Sequence, residues 1–224
     1  MKYTTLLLDL DETLFDFFKS EKIAIGKLME RYNIPVTEEN RKLYSDINDS
    51  KWRKLERGEI TRLQLLDERF SDFFEKVGVV VDTKEANLTY MKFLSQASFI
   101  LDGALETCEK LSKQYTLYLV TNGTTIVQNG RLKDSPIMKY IKDVFISEEI
   151  GFNKPQKEYF DFVLSHIYEK DKSKILVVGD SVSSDIAGAV NSGLDSCWIN
   201  RKNQNIDSGA TYSIGSINEI FNIL

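Results

Sequence analysis

The chain has 224 residues, room for one large domain or for a core with a smaller insert. A formal net charge of −5, with 42% hydrophobic and 28% charged residues, is an ordinary globular balance and offers no basic surface for nucleic acid or an anionic membrane. His166 is the single histidine, which excludes multi-His metal sites. Cys108 and Cys197 match no metal-ligand spacing and read as reduced, buried thiols.

Taken in order, the chain opens on Tyr3–Leu14, YTTLLLDLDETL, where the apolar run Leu6–Leu8 reads as a short buried strand ending in Asp9 and Asp11. That run passes straight into an acid, unlike a secretory leader, and no apolar stretch reaches membrane-span length, so a cytoplasmic protein is expected. From residue 16 to 97 the pattern is helical. Phe17, Ile25, Leu28 and Tyr32 recur at helical spacing, Thr37 starts a second helix that runs towards Gly58, Thr61–Phe74 repeats the pattern, and Asp82–Ala97 closes the block.

After Leu101 strands and helices alternate. Ala104–Lys113 is a predicted helix, Tyr115–Val120 a strand, Thr124–Leu132 a helix, and Val144–Ile146 a short apolar patch. Pro155–Tyr168 reads as a helix with proline near its start, Lys174–Val178 as a buried strand, and Asp185–Ser192 as a helix closed by Gly193. Asp195–Asn200 and Ala210–Ile214 are short strands, and Ser216–Leu224 a final helix. This rhythm predicts an α/β fold: a Rossmann-like core, its parallel sheet covered by helices on both faces, with a helical cap inserted after the first strand. The expected division is 1–15 and 98–224 for the core and 16–97 for the cap, above the strand ends where such sheets bind ligands.

Three apolar runs end in polar residues: Leu6–Leu8 in Asp9 and Asp11, Tyr115–Val120 in Thr121-Asn122-Gly123, and Ile175–Gly179 in Asp180, Ser181 and then Asp185. If these strands are parallel neighbours, the tips converge, with Lys154 in a loop between them. Asp9, Asp11, Asp180 and Asp185 together would raise one another's pKa or recruit a cation, and an all-oxygen acidic site suits Mg²⁺. Thr121, the backbone N–H groups of Asn122 and Gly123, and Lys154 would offer donors and a positive charge to a phosphate. A carboxylate nucleophile beside a metal and a phosphate clamp points to phosphoryl transfer through an aspartyl-phosphate, with the second acid moving the proton. Taken singly, Lys154-Pro155 is an ordinary helix start and Asn122-Gly123 an ordinary turn; their order along the chain is what carries meaning.

DLDETL at Asp9–Leu14, TNG at Thr121–Gly123, KP at Lys154-Pro155 and GDS…SDI at Gly179–Ile186 resemble, in the right order, the four motifs of the haloacid dehalogenase-like hydrolases. The resemblance covers essentially the whole chain. It implies Asp9 as nucleophile and Asp11 as general acid/base. It implies Mg²⁺ held by Asp9, the main-chain oxygen of Asp11, and Asp180, with Asp185 in support, and the phosphoryl group held by Thr121 and Lys154. The dehalogenases lack the acid that Asp11 supplies, so the chain is placed with the phosphatases.

Further stretches resemble the pyrimidine 5′-nucleotidases of that superfamily: TLFDF after the nucleophile, SKWRKLERGEITRLQLLDERF in the cap, LVTNG, ISEEIGFNKPQKEYFDF and CWIN. The implied substrate is a small phosphorylated metabolite, a nucleoside monophosphate, with no nucleic-acid or membrane partner; oligomeric state is not read. Trp52 could stack on a base, and Phe15 is expected under the cap near the sugar. The alternatives are a sugar-phosphate or phosphoglycolate phosphatase, a phosphoglucomutase-like enzyme, and a non-catalytic binding protein that kept the fold.

Overall fold

The computed structural model describes residues 2–224. Alternation along the strands sets the two faces of the sheet. In β1 (Thr5–Leu8), Leu6 and Leu8 join one core cluster and Leu7 another; all three are fully buried. The same alternation runs through β2 (Thr116–Thr121), where Leu117 and Leu119 oppose Tyr118 and Val120. With β3 (Ile141–Ile146), β4 (Ile175–Gly179), β5 (Asp195–Ile199) and β6 (Tyr212–Ile214), these form one parallel sheet in the order β3-β2-β1-β4-β5-β6.

Helices cover both faces. Ala104, Cys108 and Leu111 pack on the Leu6/Leu8 side; Tyr159, Phe160, Val163 and Ala189 pack on the Leu7 side. Each buried leucine contributes about 1.5–3 kcal/mol of burial free energy. Both cysteines are free and buried.

Between β1 and β2 lie α1 (Phe17–Arg31), α2 (Glu38–Glu56), α3 (Arg62–Val77) and α4 (Thr83–Ser95), the helical cap, followed by α5 (Ala104–Leu111). Each cap helix is started by a side chain on its first free N–H groups. Asp16 accepts from Lys19 N, Thr37 from Asn40 N, Thr61 closes a capping box with Gln64, and Asp82 accepts from Lys84 N and Glu85 N. The cap has its own core, in which Tyr44 stacks on Phe70 at 5.3 Å and Phe73, Phe74 and Tyr90 close around the pair. Val127 of α6 (Thr125–Leu132) belongs to the same cluster and ties the cap to the sheet layer.

The remaining helices are α7 (Ser147–Ile150), α8 (Lys157–His166) and α9 (Ala187–Ser192). Four expectations change. Pro155 does not start α8; it lies before it, after a cis peptide bond with Lys154. Asp185 stands in a single π-helical turn, Val182–Ile186, ahead of α9. The final segment is a 3₁₀ turn at Ile217–Asn222 rather than a full helix. β3 is longer than its apolar patch because it is an edge strand, whose Lys142 and Asp143 remain exposed. Among the described residues no helix is long and apolar enough to cross a membrane.

Candidate active site

The register brings the three polar strand ends to one place. Leu8 is level with Leu119 of β2 on one side and Val178 of β4 on the other, so Asp9, Thr121 and Asp180 emerge side by side. Asp9 N still donates to Val178 O at 2.8 Å, which pins Asp9 to the sheet. A single tight turn follows: Leu14 N and Phe15 N both donate to Leu10 O at 2.9 Å, and Glu12 takes a left-handed backbone with φ of 58°. The turn leaves both Asp9 and Asp11 facing the cleft.

Lys154 is the electrostatic centre of the floor. Its ammonium is buried and donates to Asp9 Oδ1 and Asp185 Oδ1 at 2.6 Å each, and to Val120 O at 2.9 Å. Burial pulls the Lys154 ammonium down, but the Asp185 and Asp9 carboxylates outweigh it and hold the group charged, with its pKa raised. Burial pushes Asp9 up to about 7, against the pull of Lys154 and with Asp185 adding to the rise. Asp180 is raised by burial and by the neighbouring Asp9 and Asp185.

Three carboxylates around one ammonium leave a surplus of negative charge. One oxygen from each of Asp9, Asp180 and Asp185 lies within 4.8 Å of the others. This all-oxygen donor set fits a hard divalent cation such as Mg²⁺, which would favour the ionised form of each acid. The Asp11 carboxylate lies outside the cluster; its implied share in the metal is through the main-chain oxygen. Gly179 makes the arrangement possible, since a Cβ there would come within 2.2 Å of Asp185 Oδ2. Asp185 is further fixed by Ser181 N at 3.1 Å, and Asp180 by Trp198, whose indole donates to its carbonyl at 2.9 Å.

Thr121 is set by its partners. Its Oγ1 accepts from Gln128 Nε2 at 2.9 Å and from Gly123 N at 3.1 Å, which leaves its own proton free to donate. The expected role of Gly123 therefore shifts, because its N–H is engaged within the loop. Asn122 likewise spends its side chain on the next loop: it accepts from Lys154 N and donates to Lys154 O, both at 2.8 Å.

The cap closes the other side. A cavity of about 280 Å³ lies between the strand ends and the cap, reached by Asp9, Asp11, Thr121, Asn122, Gly123, Lys154, Asp180, Asp185 and, from the cap, Trp52. Phe15 is the exception. It is fully buried in the core beneath the turn, under the Arg131 guanidinium at 5.1 Å, because the turn after Asp11 folds its ring inward. Phe17 and Phe18 line the cavity instead.

Several site residues were not foreseen. Arg62, at the start of α3, donates to Asn122 O at 3.1 Å, to Ser147 Oγ at 2.6 Å and to Asn153 Oδ1, and its guanidinium lies 5.6 Å from the Trp52 ring centroid. Nothing in the sequence separates Arg62 from an ordinary surface cation. Glu56, at the end of α2, accepts from Ser183 Oγ at 2.7 Å beside the acidic cluster. Glu21 accepts from Ser45 and Asn48 at 2.8 Å, and Arg69 donates to Asn48 and Asn87, which gives the cap wall a buried polar network. Gln128 and Arg131 of α6 both hold the Asp11 carboxylate. On sequence alone they are two long polar residues at i, i+3 on a helix that also carries core positions, which does not separate them from a solvated face.

Comparison with known proteins agrees with this geometry. Residues 3–193 match the haloacid dehalogenase-like hydrolase family. The HAD-hydrolase YfnB of Bacillus subtilis is 38% identical over 100% of this chain and 96% of its own. Its crystal structure, described as bound to magnesium and as revealing interdomain movement, superposes with a TM-score of 0.94 over 100% of this chain and 99% of that one. The pyrimidine 5′-nucleotidases PynA of Streptococcus pneumoniae and YjjG of Escherichia coli are 32% and 30% identical, each over 100% of this chain and 96% and 99% of their own. On the match across most of its length, the chain belongs to the haloacid dehalogenase-like hydrolases.

Proposed function

We propose that this protein is a Mg²⁺-dependent phosphomonoesterase that hydrolyses nucleoside 5′-monophosphates, pyrimidine ones above all, through an aspartyl-phosphate on Asp9. Residues 1–15 and 98–224 serve as the catalytic core and 16–97 as the cap. The observation that carries the reading is the floor of the cleft: a buried carboxylate paired to a buried lysine, a threonine hydroxyl whose proton is not spent on the protein, and an acidic cluster on adjacent strand tips that fits a cation.

The phosphoryl group enters beside Thr121 and Lys154, where the Thr121 hydroxyl donates to one of its oxygens and the Lys154 charge attracts them. Asp9 attacks phosphorus as the ester P–O bond breaks, and the leaving oxygen takes a proton from Asp11. Water then attacks the aspartyl-phosphate and returns a proton to Asp11, which frees phosphate and restores Asp9. A cation held by Asp9, Asp180, Asp185 and the main-chain oxygen of Asp11 would supply positive charge for the phosphoryl oxygens.

The cavity favours one small metabolite over a macromolecule, being near the lower end of ligand pockets, which run from about 300 Å³. Phe17, Phe18 and Trp52 offer aromatic faces to a base, and Glu21 with Asn48 and Arg69 offers fixed polar groups. The two nucleotidase relatives add weight to the same reading. A panel with Mg²⁺ tests it: thymidine, uridine and cytidine monophosphates are expected to release phosphate faster than purine nucleotides or sugar phosphates. Preference for a sugar phosphate would move the assignment to another phosphatase of the family, and no phosphate release from any substrate would end it.

A further inference from the structure

On this reading of the site, we infer that Gln128 and Arg131 are positioning residues that align the Asp11 carboxyl with the Thr121 hydroxyl. Gln128 uses both amide protons, one on Asp11 Oδ2 and one on Thr121 Oγ1, each at 2.9 Å. Its own oxygen accepts from Arg131 Nη1 at 3.2 Å, which fixes which end of the amide faces the cleft. The same Arg131 nitrogen donates to Asp11 Oδ1. Both side chains are buried on consecutive turns of α6, and the Arg131 guanidinium rests over the Phe15 ring at 5.1 Å. The chain makes room for the amide: a Cβ on Gly123 would lie 2.1 Å from Gln128 Nε2.

One side chain thus spans two jobs. The proton donor to the leaving group and the hydroxyl that grips the phosphoryl oxygen keep a fixed separation because a single planar amide joins them. Each carboxyl oxygen has two lone pairs, so the single bonds from Gln128 and Arg131 leave both Asp11 oxygens a free position towards the cleft. Asp11 remains partly open to the cleft, with 28% of its side chain exposed, while Arg131 is wholly enclosed behind it.

The experiment exploits the leaving group. The 5′-alkoxide of thymidine is a strong base and departs only with a proton from Asp11; p-nitrophenolate is a weak base and departs without one. The value of kcat/KM reports the steps through leaving-group departure. Its ratio for thymidine monophosphate over p-nitrophenyl phosphate therefore isolates Asp11, since phosphate contacts are common to both substrates. Gln128→Met and Arg131→Lys are measured against the wild type, with thermal melts as a check on folding. The ratio is expected to fall about tenfold or more in each variant, within the range general acid catalysis supplies. A general loss of folded protein would lower both substrates equally and leave the ratio unmoved. An unchanged ratio in both folded variants overturns the positioning role. Absence of turnover by the wild type on either substrate overturns instead the phosphatase reading on which that role rests.

Discussion

Lys154 concentrates the chemistry of the site in one side chain. Its ammonium neutralises part of a buried acidic cluster, with its three protons on Asp9, Asp185 and the Val120 carbonyl. Breaking a buried ion pair by removing one partner costs about 3–5 kcal/mol, because the other charge stays buried and unpaired. Lys154→Met is therefore expected to lower the melting temperature by roughly 10 °C in chelator, at 2–4 °C per kcal/mol for a chain of this size. Added Mg²⁺ should return part of that loss, since a cation among Asp9, Asp180 and Asp185 replaces the missing charge. A melting temperature equal to wild type in chelator would contradict the ion-pair account. At this scale Asp9, Asp11, Asp180 and Asp185 were legible in the sequence, because carboxylates at the end of buried apolar runs demand compensation. Gln128 and Arg131 were not, because their meaning depends on partners more than a hundred positions away in sequence.

At the scale of elements, the connection from α3 to the β2 and β3 tips decides how the cap sits. Arg62 carries it, reaching the Asn122 carbonyl, Ser147 and Asn153 from the first residue of the helix. Arg62→Met removes those bonds and frees Trp52 from its cation, so the cap wall of the cavity is held less firmly against the strand tips and apparent substrate affinity falls. The expected result is a rise in KM of about tenfold with a smaller change in kcat, and a melting temperature within a few degrees of wild type. A fall in kcat with KM unchanged would assign Arg62 to the chemical step instead. Helix starts were readable from Thr37, Thr61 and Asp82, whose side chains do cap. The start of α8 was not, because proline serves equally at a helix N-terminus and in a turn before one, and only the loop around Lys154 decides between them.

For the molecule as a whole, one topological fact organises the rest. The chain leaves the sheet after β1, builds four helices, and returns to form the strands on either side of β1. The strand that ends in Asp9 is thus central in the sheet and lies beneath the cap. This much was visible in the change of rhythm near Leu101, where helical spacing gives way to alternating strands and helices. Of the cap residues that reach the cavity, Trp52 was singled out in the sequence, whereas Phe18 and Arg69 were not, because the face each helix turns inward is set only when the cap helices pack. Phe15 shows the same limit from the other side, since one tight turn sends its ring into the core. The central claim is that Asp9 is phosphorylated during hydrolysis of a nucleoside monophosphate. Its most direct test is phosphate release from thymidine monophosphate with Mg²⁺ by wild type and by Asp9→Asn. The account predicts release by the wild type and a loss of at least about a thousandfold in a variant that remains folded. Turnover retained by Asp9→Asn would contradict it.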